Sequence, residues 1–211
     1  LFSYNEKKAA GVKDLEGEVD IYEDRLGSYL VKLSGYDLSD TDSKQISKLL
    51  HTIGDFERIS DHAVNVMQAA KEIEEKKAPL SPEGLAEIKV ATAAIREIME
   101  IAIKAFDENN LELAYRVEPL EQVVDGIIEG IKLNHINRLQ AGKCTIQQGF
   151  VLSDILTNYE RVSDHCSNIA VAMIELSKSA FDTHEYLDKL KTMDDPEFRK
   201  MFTEYKKKYA I

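Results

Sequence analysis

The sequence predicts an all-α fold, and three observations carry the prediction. Gly and Pro are sparse, at ten and four of 211 residues, and Trp is absent. Ala, Leu, Ile, Glu and Lys, all favourable or neutral in helices, dominate the composition. Apolar residues recur at three- and four-residue spacing rather than in alternation. With 44% hydrophobic and 31% charged residues, the chain has the composition of a folded, water-soluble protein.

Six helices are expected in order. The first runs from about Lys7 to Leu33 and stops at "SGYDLSDTDS", where Gly supplies a stop and Ser or Asp the next cap. A second, from about Ser43 to Lys77, ends before "APLSPEG". The third, from about Glu83 to Phe106, is rich in Ala and Ile and breaks at "DENN". A fourth continues through Pro119 to about Leu139, and "QAGKCT" separates it from the fifth, about Ile146 to Ser179. The last, from about Glu197 to Tyr209, follows "DDP". Two of these helices exceed the usual globular length, and long antiparallel helices form bundles.

The chain also repeats itself. "DFERISDHAVN", residues 55 to 65, returns as "NYERVSDHCSN", residues 158 to 168, and "LEGEVD", residues 15 to 20, returns as "LEQVVD", residues 120 to 125. Each shorter match precedes its longer one by about forty residues, so the repeat spans helix, loop, helix, loop, helix. The expected architecture is a single domain of two pseudo-symmetric three-helix bundles, the first repeat at about 7 to 108 and the second at about 110 to 209.

Within the repeats, a Glu stands four residues before an Asp four times: Glu16 and Asp20, Glu57 and Asp61, Glu121 and Asp125, Glu160 and Asp164. Residues four apart share a helix face, so each pair sets two like charges side by side at a cost of a few tenths of a kcal/mol. Stepping about 100° per residue puts every pair on the edge of an apolar face, marked on the first and fourth helices by Val12, Val19 and Leu26 and by Val117, Val124 and Ile131. When the first two helices of a repeat pack, four carboxylates meet. Such oxygen clusters bind hard cations. The expectation is one metal site per repeat, with Asn65 and Asn168, one turn further on, as supplementary carbonyl ligands. An acidic pair standing alone reads as a solvated face with Arg58, Arg161 or a Lys as counter-charge; four pairs at matching positions in two repeats read as sites.

His62 and His165 fall outside the acid stripe and are read as local hydrogen-bond partners, while Ser60 and Ser163 fall on the apolar side as small packing residues. None of the five histidines has a Glu three residues before it, so the di-iron Glu-x-x-His pattern is missing, as are the G-x-S-x-G, P-loop and H-E-x-x-H motifs. The reading is therefore not an enzyme. A net charge of −11 argues against a nucleic-acid partner. Cys144 and Cys166 match no metal-ligand spacing and are read as reduced thiols. "HINRLQAGKCTIQQGF" is read as a helix end whose basic residues complement the dipole, with Gly142 as its cap. The basic closing stretch "EFRKMFTEYKKKYAI" is read as a packed terminal helix.

"FERISDHAVN" and "YERVSDHCSN", each about forty residues after an E-x-x-V-D helix, resemble the duplicated signature of PhoU-like proteins. With "VEPLEQVVD" and "H-x-x-RL-x-x-GKC" added, the resemblance covers nearly the whole chain and is closest to the cytoplasmic C-terminal PhoU-like domain of bacterial sodium/phosphate cotransporter family proteins. It implies regulation of phosphate transport at the cytoplasmic face of the cell membrane, with a membrane transporter domain as partner, expected in the same full-length chain. A start at Leu1 without Met accords with that arrangement. A second copy of the chain is a further candidate partner. The resemblance also implies iron or another metal, among Mn, Ni, Zn and Mg, on the eight carboxylates. Ser60 and Ser163 stand where the family often has Gly, and Pro119, just ahead of its acid pair, raises the expectation of a kink that makes the two sites unequal. The alternatives are a free-standing PhoU-type regulator acting through a transporter and a sensor kinase, and a metal-dependent helical-bundle enzyme.

Overall fold

The computed structural model describes residues 4–77, 79–177 and 195–211, and every regular element among them is helical. The helices are α1 (Glu6–Leu33), α2 (Asp40–Glu75), α3 (Pro82–Glu108), α4 (Leu111–Ala114), α5 (Val117–Gln140), α6 (Ile146–Ser177) and α7 (Pro196–Lys208). The expected end of the fifth helix at Ser179 and part of the "DDP" break lie outside the described residues. Side chains cap the starts: Asn5 accepts from the Lys8 N–H, Ser39 from Asp42, Ser81 from Gly84 and Asp195 from Glu197, each satisfying a donor the helix itself leaves free. At the end of α5, Gly142 takes φ +68 and donates to Leu139, while Lys143 donates to the Arg138 carbonyl. That pair of bonds is the Schellman arrangement, and its left-handed residue favours glycine. Asn109, at φ 49, closes α3 in the same way.

The expected fourth helix is divided. It breaks at Tyr115 and Arg116, so that Pro119 falls in the first turn of α5. A proline ring clashes with the carbonyl four residues back, here that of Tyr115, and lacks an N–H that is unbonded in a first turn anyway. The kink expected inside the helix at Pro119 is thus replaced by a helix start, and the acid pair that follows sits on regular helix.

Packing interlocks the repeats. α2 lies along both α1 and α6, and α3, from the first repeat, packs on α5 and α6 of the second. α7 closes over α5, burying Phe198, Tyr205 and Tyr209. The centre of the core is aliphatic: Ile88, Ile98, Leu120, Ile131, Ile155, Leu156 and Ile169 are fully enclosed, each contributing about 1.5–3 kcal/mol by leaving water. Two charged side chains anchor it, since Arg138 makes a bidentate pair with Glu87 at 2.8 Å in each arm and Asn134 adds a 2.9 Å bond to the same carboxylate. Arg138 therefore serves α3 rather than the dipole of its own helix end, which corrects the sequence reading of that turn.

The seam expected on the first and fourth helices is fully buried on the fourth and only partly covered on the first. Val117, Val124 and Ile131 of α5 are buried, whereas on α1 Val12 and Val19 are half-buried and Leu26 is 46% exposed, with Leu15, Tyr22 and Tyr29 beside them exposed as well.

Candidate metal centre

The acid pairs meet because α1 packs on α2 and α5 on α6, with each pair on the helix edge that turns toward its partner. In the first repeat one oxygen from each of Glu16, Asp20 and Asp61 lies within 4.8 Å of the others. A cation bonded to each at about 2.0–2.6 Å spans such a gap. Glu57 completes the group. Burial first, then the Asp61 charge and a hydrogen bond with that carboxyl, and more weakly Asp20, raise its pKa, against the pull of Arg58. Arg58 stands 3.5 Å from Glu57 and 3.8 Å from Asp61, a partial neutralisation by a side chain that is itself largely in solvent.

The second cluster gathers more carboxyl groups, since Glu118 also acts on it. Glu121 is pushed up to about 8, chiefly by burial and then by the charges of Glu118, Asp125, Asp164 and Glu160. Asp125 rises to about 6, through lost hydration of its carboxyl and then Asp164 and Glu160, although much of the residue reaches solvent. Glu118 and Glu129 also act on it. Compensation comes from the rim, where Lys132 lies 3.2 Å from Glu160 and Arg161 lies 3.3 Å from Asp164. The cluster opens into a cleft of about 350 Å³ lined by Glu118, Glu121, Asp164, Ser167 and Asn168 among others. A larger cleft of about 640 Å³ lies beside Tyr115, Arg116 and Phe198 and is bordered by the carboxylates of Glu112, Asp195 and Glu197.

Among the described residues only Glu16, Asp20 and Asp61 bring their oxygens within 4.8 Å of one another; Glu57 joins them through Asp61, and Glu121, Asp125, Glu160 and Asp164 act on one another through their charges. The two asparagines are placed differently. Asn65 is exposed, and Asn168 donates its amide N–H to Asp55 on α2 at 3.1 Å. Glu118 was not legible from the repeat, because the first repeat has Lys13 at that place; its carboxylate accepts from the Ser167 hydroxyl at 2.6 Å.

The histidines bond across the repeats rather than locally. His62 Nδ1 lies 2.8 Å from the Asn158 amide oxygen, and His165 Nδ1 lies 2.8 Å from the Asp55 carboxylate. The rings stack with centroids 5.6 Å apart and 27° between planes. Asp55 and Asn158 occupy the same place in the cassette, as do His62 and His165, so the contact is reciprocal and its centre lies on the pseudo-two-fold axis. The seam around it is tight: Ser163 is fully enclosed with an unbonded hydroxyl, and burial pushes the Cys166 thiol up to about 12. Cys144 and Cys166 form no disulfide.

The chain is similar to known proteins in sequence and in fold. The family model described as PhoU domain matches residues 1–70 and 89–173, stretches that contain all eight carboxylates. The phosphate-specific transport system accessory protein PhoU homolog 1 of Thermotoga maritima is 28% identical over 138 residues, 64% of this chain and 59% of that one. The PhoU homolog of Pseudomonas aeruginosa is 23% identical over 184 residues, 87% of this chain and 75% of the other. The crystal structure of PhoU from Pseudomonas aeruginosa superposes with a TM-score of 0.74 over 80% of each chain at 23% identity, a likeness of fold. The match to the Thermotoga relative spans a little under three fifths of that relative's length.

Proposed function

The chain belongs to the PhoU domain family, and we propose from that membership that it is a regulator of phosphate transport whose two carboxylate clusters hold metal ions. The observation that carries the metal reading is the convergence of Glu16, Asp20 and Asp61 within 4.8 Å across the α1–α2 seam. The raised pKa values of Glu57, Glu121 and Asp125 support it, because burial and then the neighbouring carboxylates disfavour the ionised forms that a cation would stabilise. Glu16, Asp20, Glu57 and Asp61 hold one ion or ion group, and Glu121, Asp125, Glu160 and Asp164, with Glu118 beside them, hold the other. The donors are all oxygens, which suits hard cations such as Mg, Mn or ferric iron over thiolate-preferring ones. A bound cation would supply charge neutralisation, drawing α1 to α2 and α5 to α6; the residues themselves carry out no chemistry on a substrate.

In this reading the partner is a membrane transporter that moves phosphate, at the cytoplasmic face of the membrane, and the sodium/phosphate cotransporter resemblance supports a transporter domain in the same full-length protein. A second copy of the chain is the other partner. No helix among the described residues is long and apolar enough to cross a membrane, so a membrane role passes through a partner or another part of the protein. The alternative of a separate accessory regulator has its own support: the named relatives are accessory proteins of phosphate-specific transport systems. Several apolar spans of about 20 residues upstream in the same reading frame decide for the first arrangement, and an initiation codon just before this segment decides for the second.

Two measurements test the proposal. Phosphate uptake by cells that carry the wild-type or the deleted gene is expected to differ in its response to external phosphate; identical uptake removes the regulatory reading. Elemental analysis of the purified protein and of the Asp61→Ala, Asp164→Ala double variant is expected to show metal in the first and little in the second. Equal content in both removes the metal reading.

A further inference from the structure

We infer that the exposed apolar surface at the loop end of the α5–α6 pair is the seat of a basic amphipathic helix, supplied on the transport reading by the cytoplasmic side of the membrane transporter. Its residues are Leu133 and Ile136 on α5 and Ile146 and Phe150 on α6, with exposures of 59%, 50%, 65% and 67%. They belong to one surface. The two helices run antiparallel, since Lys132 meets Glu160 and His135 lies against Gly149, where an added Cβ would stand 2.7 Å from the imidazole. Counted at about 100° per residue from that contact line, Ile136, Ile146 and Phe150 turn about 100°, 60° and 100° to the same side, and Leu133 flanks them at about 160°. Four large apolar side chains together are a patch, unlike scattered surface leucines.

The fold does not require this patch, as the other repeat shows. The offset of 103 between the two long matches carries Ile146 and Phe150 onto Ser43 and Ser47 of α2, and the offset of 105 between the two short ones carries Leu133 and Ile136 onto Ser28 and Val31 of α1. Repeat one builds the same helix pair with serine at three of the four places. Burying an Ile, Leu or Phe side chain returns about 1.5–3 kcal/mol, so repeat two holds on this surface an association energy that repeat one lacks.

Charge selects the occupant. Glu129, one turn before Leu133, and Asp154, one turn after Phe150, stand exposed at the border of the patch, and neither is one of the eight cluster carboxylates. An anionic lipid surface would meet these acids with like charge, and so would a second copy of a chain of net charge −11. A helix with one apolar stripe edged by Lys or Arg satisfies the whole surface: the stripe lies in the groove between α5 and α6, and the cations meet Glu129 and Asp154. Cytoplasmic loops of membrane proteins carry an excess of Lys and Arg close to their spans, a source for such a helix that rests on the partner being a membrane transporter.

The test uses the whole chain and three helical peptides of about 18 residues that share one Leu stripe and carry Lys, Glu or Gln on the polar face. Fluorescence anisotropy is expected to show binding of the Lys peptide to the wild type and binding at least about tenfold weaker to Ile146→Ser with Phe150→Ser, at unchanged helical content by circular dichroism. Glu129→Lys with Asp154→Lys is expected to turn the preference toward the Glu peptide. A wild type that ignores the Lys peptide, binds the Glu peptide equally well, or binds no better than the serine variant overturns the inference. So does a dimer in light scattering that the two serines disperse, or a phosphatidylglycerol vesicle that holds the wild type and releases the serine variant. In cells where deletion of the gene alters phosphate uptake, the serine variant is expected to alter it in the same way; uptake like that of the wild type overturns the transporter as occupant. The peptide assay uses neither phosphate nor transporter, so peptide binding that stands while uptake ignores the gene removes the transport reading and keeps the basic helix as occupant.

Discussion

At the scale of single residues, Glu121 is the most perturbed of the cluster carboxylates, and it makes a pH prediction. Its folded pKa, about 8, lies above the ordinary 4.5, so the folded protein holds a proton that the unfolded chain releases. A raised carboxyl stabilises fully below the ordinary value and loses that contribution as pH rises through the folded one. Asp125, at about 6, acts in the same sense over a lower range. Metal-free protein is expected to lose melting temperature between about pH 5 and 8, Glu121→Gln to flatten that fall, and added Mn or Mg to reverse it; differential scanning calorimetry across the range reads all three. Arg138 makes the second prediction. Arg138→Ala strands Glu87, a carboxylate only 13% exposed and bonded to Asn134 as well, and is expected to destabilise by about 3–5 kcal/mol in urea unfolding. Glu87→Gln with Arg138→Met is expected to recover much of that loss.

At the scale of elements, α1 and α5 show how far a repeated sequence determines repeated packing. Ile131→Ala is expected to cost about 2–5 kcal/mol, because Ile131 is fully enclosed. Leu26→Ala, its counterpart by the repeat, is expected to cost under about 1 kcal/mol in dilute solution, measured by the same denaturation. Helix periodicity, Gly142, the Ser and Asp caps and the repeat itself were legible in the sequence because each is a local rule: a spacing, a left-handed turn, a donor needing an acceptor. Pro119 was legible as a break but not as a helix start, since a proline tolerated in a first turn and one disrupting a helix interior differ only in where the helix begins. The wheel located the acid pairs on the edges of helices α1, α2, α5 and α6. It gave no sign that α3 would cross to α5 and α6, because that depends on which of two similar grooves a helix enters. The histidines were misread as local for the same reason, their partners lying 96 and 110 residues away.

At the scale of the whole molecule, the two repeats are joined where α2 runs along α6, and the stacked His62 and His165 mark the axis between them. The carboxylate clusters are each bordered by cassette residues that also make that seam: Asp61 adjoins His62, and Asp164 adjoins His165. An ion that draws α1 onto α2 therefore acts on the same helix whose opposite neighbour is α6. This supplies a physical route by which occupancy at one site biases the other, carried by the rigid α2–α6 pair. The repeats are not equal, since Glu118 adds a carboxylate to the second cluster with Lys13 at the matching place in the first. The second cluster is expected to bind the harder or more highly charged ion, and to bind first. The most direct measurement of the central claim is a Mn²⁺ titration followed by electron paramagnetic resonance on the wild type and on the Asp61→Asn and Asp164→Asn single variants. The account predicts two classes of bound ion, of which each variant loses one and keeps the other; binding that neither substitution changes would contradict it.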